Sequence, residues 1–149
     1  MALYYFETSA LVKLYIREAG TDRVLDLAVA GSGNHIAILA LTPVEFRSAV
    51  RRRERLGDLE RPVANRLIAR FERHLSTEYK TRSVDGTVLR SAAAVIDRYP
   101  LRAYDALQLA GFLTLKAASP EAEPIFVCAD RALLDVANAE GARTVDPTS

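Results

Sequence analysis

Residues 35–41, HIAILAL, are apolar at nearly every position and show no alternation, the pattern of a strand buried on both faces of a parallel sheet. That run constrains the fold more than any other, because parallel strands need long crossovers and helices must then cover both faces of the sheet. The chain supplies one at once. Thr42-Pro43-Val44-Glu45 reads as a helix start, with Thr42 as N-cap, Pro43 at the first helical position and Glu45 three residues after the cap. This helix is expected over 43–56, with Gly57-Asp58 ending it.

The same strand-then-helix grammar recurs. Residues 2–7 form an aromatic-rich apolar run ending in Glu7, and Thr8 or Ser9 would cap a helix over 9–17. A second helix is expected over 22–30 and a loop over 31–34. Val63, Ala64, Leu67, Ile68, Phe71 and Leu75 make one apolar stripe, so the helix that carries them pairs with 43–56 as a helical hairpin. A strand over 79–84 leads to a helix over 86–99 with Val88, Leu89, Ala92, Val95, Ile96 and Tyr99 inward. From Ala103, AYDALQLAGFLTLKAA is apolar nearly all round, which places it deep against the sheet and makes Asp105 in its first turn conspicuous. Residues 125–129 are a buried strand, 130–140 a last helix closed by Gly141, and 142–145 an edge strand. The fold class is therefore α/β, three-layered, with a central mainly parallel sheet flanked by helices.

Composition narrows the class. A chain of 149 residues, half of them apolar, suits one well-buried domain spanning 1–149. The single cysteine, Cys128, excludes an intrachain disulfide and a thiolate cluster, and its apolar surroundings mark it as a buried structural thiol. No signal-peptide pattern opens the chain and no apolar stretch is long enough to span a bilayer, so a soluble, cytoplasmic protein is expected. The net charge of +1 hides nine arginines between Arg47 and Arg73, a basic helical hairpin in an otherwise acidic chain.

Topology then gathers the acids. Glu7 ends the first strand, Glu45 and Asp130 open helices that follow strands, and Asp105 opens a helix running back toward a strand start. Helices that connect parallel strands run antiparallel to them, so all four carboxylates belong to the carboxyl edge of the sheet, where open α/β folds bind ligands. Each has a structural explanation as well: a capping box for Glu45, an N-cap for Asp130, a positive helix end for Asp105 and Glu7. Four like charges in one cleft nevertheless repel unless a cation neutralises them, and oxygen-only ligands suit Mg²⁺ or Mn²⁺. His35, His74 and Asp135 are read as surface or structural groups. Arg47, Arg51 and Arg55 recur one turn apart and suit either a solvated face or a track of phosphates.

The runs YYFETSALVKLY, TPVEFRSAVRRR, LRAYDALQLAGF and VCADRALLDVA resemble the four motif regions of PIN-domain ribonucleases, and are most similar to the VapC-type toxins of bacterial toxin–antitoxin pairs. The resemblance spans essentially the whole chain. It implies metal-binding and catalytic acids at Glu7, Glu45, Asp105 and Asp130, hydroxyl support or substrate contact from Thr8 and Ser9, and phosphate contact from Arg47 and Arg51. It also implies Mg²⁺- or Mn²⁺-assisted hydrolysis of RNA to 5′-phosphate and 3′-hydroxyl ends, a homodimer, and a VapB-type antitoxin that masks the acids. One departure stands out: the family's first acid is ordinarily Asp in D-T-S-A, and here it is Glu7 in E-T-S-A. The added methylene keeps the charge and shifts the carboxylate. Three functions therefore stay open: a ribonuclease, attenuated or not; a catalytically impaired PIN-like module that holds RNA or antitoxin; and a Mg²⁺-dependent phosphohydrolase, for which Glu7 is a poor nucleophile.

Overall fold

The computed structural model describes residues 2–29 and 32–149. Five strands form the sheet: β1 (Leu3–Phe6), β2 (His35–Leu39), β3 (Tyr79–Arg82), β4 (Ile125–Val127) and β5 (Arg143–Val145). Their order is β3-β2-β1-β4-β5 and every neighbouring pair is parallel, so β1 lies at the centre. Leu3 stands opposite His35 on one side, and Tyr4 opposite Ile125 on the other.

Side chains alternate across the pleat and build a core on each face. Tyr5, Ala37, Leu39 and Phe126 point toward α5 (Gly86–Arg98), α6 (Ala103–Ala118) and α7 (Arg131–Ala139). Phe6, Ile36, Ile38 and Val127 point toward α1 (Thr8–Leu11), α2 (Thr21–Leu27), α3 (Thr42–Arg55) and α4 (Arg61–Thr77). Double-sided burial is what removes a polar face from HIAIL, and the expected three layers are observed. The α3–α4 hairpin is stapled by Phe46 stacked on Phe71, ring centroids 4.4 Å apart, with Tyr15 edge-on to both. Tyr15 Oη and His74 Nδ1 lie 2.7 Å apart, giving His74 a structural role, while His35 is exposed at the start of β2. On the other face Gly111 lets α6 lie close to the sheet. A Cβ there would collide with the Tyr5 hydroxyl and come 2.8 Å from Leu39 Cδ1.

Several local expectations need correction. The first helix is not a single element over 9–17: α1 is one turn, continued by a 3₁₀ turn over Val12–Leu14. Thr42 does not cap α3, because its buried hydroxyl accepts a hydrogen bond from Gln108 instead, and Glu45 turns to side-chain partners, so no capping box forms. Leu89 and Ile96 of α5 are 53% and 41% exposed, not inward. Val88, Ala92 and Val95 already fill that helix's contact stripe. The expected end of the second helix at Ala30 and the loop residue Gly31 lie outside the described residues. Among the described residues no helix is long and apolar enough to cross a membrane.

Candidate active site

The strand β1 ends by handing its chain directly to a buried acid. Glu7 N donates to Val127 O across the sheet at 3.0 Å, and the Glu7 carboxylate then turns onto the helix it precedes. Its Oε2 accepts from Ser9 N at 2.9 Å, from the Ser9 hydroxyl and from Cys128 Sγ at 3.4 Å. Glu7 itself, not Thr8 or Ser9, is therefore the N-cap of α1. Only 6% of the residue is exposed. Burial raises its pKa from 4.5 to about 7, against the pull of the Ser9 and Cys128 hydrogen bonds and with a further push from the Glu45 charge.

Ser9 ties this acid to the neighbouring strand, since its hydroxyl also accepts from Ala129 N at 2.9 Å. Cys128 does the same from beneath: its sulfur accepts from Asp130 N at 3.3 Å, and burial pushes its thiol pKa up, so it serves as an uncharged donor. The thiol is buried and structural, as its apolar context implies.

Glu45 is anchored separately. Its Oε1 accepts from Thr8 Oγ1 at 2.8 Å and from Gln108 Nε2 at 2.6 Å. No hydrogen bond from the described residues reaches Glu45 Oε2 or Glu7 Oε1. Both glutamates thus have one oxygen tied down and one free. Together with Thr8 and Ser9 they line a cleft of about 720 Å³, whose other walls include Ser48, Arg52, Arg53, Asp58 and Tyr104.

The two aspartates sit differently. Asp130 is exposed and caps α7, its Oδ1 accepting from Leu133 N at 3.1 Å. Asp105, in the first turn of α6, has its pKa raised first by partial burial and then by the Asp130 charge, with Arg102 opposing. Glu7 therefore feels the charge of Glu45, and Asp105 that of Asp130. Neither aspartate lines the cleft, however, and among the described residues no group of three or more His, Cys, Asp or Glu side chains is close enough to hold a metal ion. The expected four-acid convergence is resolved into two pairs on one edge: Glu7, Glu45 and Asp130 are each turned onto backbone or side-chain donors, while no hydrogen bond from the described residues reaches the Asp105 carboxylate. In donor chemistry the four acids suit a hard divalent cation: every donor atom is oxygen, Glu7 Oε1 and Glu45 Oε2 are among those left free, and Glu7 is buried with no counter-ion among the described residues.

The arginines divide by what they already hold. Arg47 pairs with Glu72 at 2.6 Å, Arg51 with Glu54 at 2.7 Å, and Arg53 with Glu18 at 2.6 Å. Arg47 and Arg51 do not line the cleft. Arg52 does, and no carboxylate of the described residues pairs with it. Sequence reasoning passed over Arg52, Tyr104 and Gln108. A signal for the last exists: Gln108 is the one polar side chain between Asp105 and Thr114 in an otherwise apolar helix.

The PIN domain family model matches residues 4–139. No curated protein sequence matches the chain. Among solved structures, a toxin–antitoxin complex from Klebsiella pneumoniae superposes with a TM-score of 0.62 at 17% identity, covering 99% of this chain and 98% of that one. VapBC2 from Rickettsia felis, bound to a DNA fragment from its promoter, gives 0.64 at 10% identity over 96% and 97%. PAE2754 from Pyrobaculum aerophilum gives 0.61 at 25% identity over 97% and 84%.

Proposed function

The chain belongs to the PIN-domain family, and from that premise we propose that it is a Mg²⁺- or Mn²⁺-dependent endoribonuclease toxin of the VapC type, neutralised by a VapB-type antitoxin. The observation that carries this reading is the cleft floor. Two glutamates from separate elements each keep one carboxylate oxygen free of the described residues, beside an arginine that no carboxylate among them holds. In this reading Glu7, Glu45, Asp105 and Asp130, which stand apart in the metal-free protein, would be drawn together to hold the cation between them. Such an ion, when bound, neutralises charge on the scissile phosphate and supplies a nucleophilic water at neutral pH.

The chain's own residues do the rest. Ser9 and Thr8 fix the two glutamate carboxylates by hydroxyl contact, so that the acids meet substrate in one orientation. Arg52 takes an RNA phosphate along the cleft wall. Arg47 and Arg51 contact RNA only by exchanging Glu72 and Glu54 for phosphates, which makes them secondary contacts. The exposed ring of Tyr104, at the cleft rim, offers a base a stacking face. The toxin–antitoxin complexes among the structural neighbours support a protein partner; that it covers this cleft, and that the chain is a homodimer, belong to the same proposal.

The impaired-module reading has one observation in its favour, the inward turn of Glu7 Oε2 onto Ser9 and Cys128. Cleavage of radiolabelled RNA in Mn²⁺, with and without EDTA, separates the two. EDTA-sensitive cutting that Asp105→Asn abolishes is the expected result. RNA binding without any such cutting would make the protein a binding module, and phosphate release from small esters would make it a phosphohydrolase.

A further inference from the structure

Gln108 is fully buried, and among the described residues it is the one hydrogen-bonded to β1, α1 and α3 at once. Its Oε1 accepts from Tyr5 Oη at 3.2 Å, while Nε2 donates to Thr42 Oγ1 at 3.0 Å, Thr8 Oγ1 at 3.1 Å and Glu45 Oε1 at 2.6 Å. The orientation of the amide follows from its partners. A carboxylate only accepts, so the nitrogen must face Glu45, and the phenol of Tyr5, kept protonated by burial, donates to the oxygen that is left.

We propose that Gln108 is a positioning residue for the nuclease site: it ties Glu45 Oε1 inward, so that Oε2 is the one oxygen Glu45 offers to a cation. The inference rests on the cleft being the metal-dependent site proposed above. Three details support it. Nε2 has two hydrogens and three acceptors, and its shortest contact goes to the acid. Thr8, the other donor to Glu45 Oε1, is itself bonded to Gln108, so one amide organises both restraints on the carboxylate. Gln108 also lies one turn beyond Asp105 on α6, so the helix that brings one acid to the sheet edge also fixes another from below. A filler would need none of this. A buried amide is costly to satisfy, and an apolar side chain would fill the same space without that cost.

The test uses the full chain and Mn²⁺ alone, with free ion read by electron paramagnetic resonance. Gln108→Met keeps length and burial but removes the donor. Gln108→Asn keeps an amide but withdraws it by one methylene. Each is expected to weaken the Mn²⁺ Kd about tenfold, the usual cost of losing a partner that orients a ligand, and to lower kcat on RNA with KM within twofold of the parent. A purely structural role would lower the melting temperature and leave the Kd of the folded protein unchanged. A folded variant of either kind that binds Mn²⁺ within twofold of the parent overturns the proposal, as does a parent that binds no Mn²⁺. A parent that binds Mn²⁺ but cuts no RNA overturns the ribonuclease reading alone, and the Gln108 effect on Kd is then still expected.

Discussion

The glutamate pair and the aspartate pair stand at one edge of one sheet and are made of the same functional group, yet the protein treats them oppositely. Glu7 is buried and fastened by Ser9 and Cys128, and Glu45 by Thr8 and Gln108. Asp130 is exposed and held by a single backbone N–H, and Asp105, half-buried like Glu45, accepts no hydrogen bond from the described residues. The lesson concerns capacity. A charge whose bonding positions are filled by the fold is rigid and less available, whereas one left open is available and mobile. The arginines obey the same rule, with Arg47, Arg51 and Arg53 paired and Arg52 open.

The sharpest way to break the contrast is to neutralise the open acids. Asp105→Asn and Asp130→Asn should each reduce Mn²⁺-dependent cleavage to background. Both should leave the melting temperature unchanged or slightly raised, because Asn caps α7 as well as Asp does and one repulsion is gone. Cleavage assays with thermal unfolding check both halves, and undiminished cutting would remove the aspartates from the site.

Next comes pH, which should act through the buried side. The Glu7 pKa is raised on folding, so the native state holds its proton more tightly than the unfolded state does, and stability falls as pH rises from about 4.5 to 7. The rise from 4.5 to about 7 corresponds to at most about 3 kcal/mol. Urea unfolding of the metal-free protein at several pH values reads it directly. Glu7→Gln should flatten the slope in that window and abolish cleavage, while Mn²⁺ should stabilise the parent more at pH 8 than at pH 5. An unchanged slope in Glu7→Gln would assign the pH dependence to other groups.

Shortening the same side chain gives a smaller effect. In Glu7→Asp the carboxylate still caps Ser9 N, as Asp does well at an N-cap, but withdraws from Cys128. Cleavage in Mn²⁺ should rise, by up to about a hundredfold if the parent's ligand is misplaced by a methylene, and toxicity without antitoxin should rise with it. No gain in rate would mean that the longer side chain is already accommodated.

The smallest effect separates the arginines. Arg52→Glu should weaken RNA binding and lower the salt slope by about one, as for a lost phosphate contact. Arg47→Glu should do less, since its partner Glu72 already competes for it. Equal effects at both positions would make the hairpin a diffuse basic face with no specific contact.

Much of this was legible without coordinates. An unbroken apolar run such as HIAIL, cut off at once by a helix start, reads as a doubly covered strand, and strand order in an α/β chain sends the following helix starts to one edge, so the three layers and the shared edge of the four acids followed from pattern. Local rules also read the α7 cap at Asp130 and the turn at Gly141, whose φ of +83° suits glycine. They failed where a side chain had two offers. Thr42 and Glu45 match a capping box letter for letter, and Glu7 matches a strand end. Thr42 and Glu45 instead took a partner distant in sequence, Gln108, 66 and 63 positions away, and Glu7 capped its own helix through Ser9 while also accepting from Cys128, 121 positions away. A hydrogen bond to a buried, desolvated partner outweighs one to an N–H that water can also serve, and only the folded chain creates that difference. Periodicity therefore determined where the acids stand, and tertiary packing decided which of their oxygens remain free.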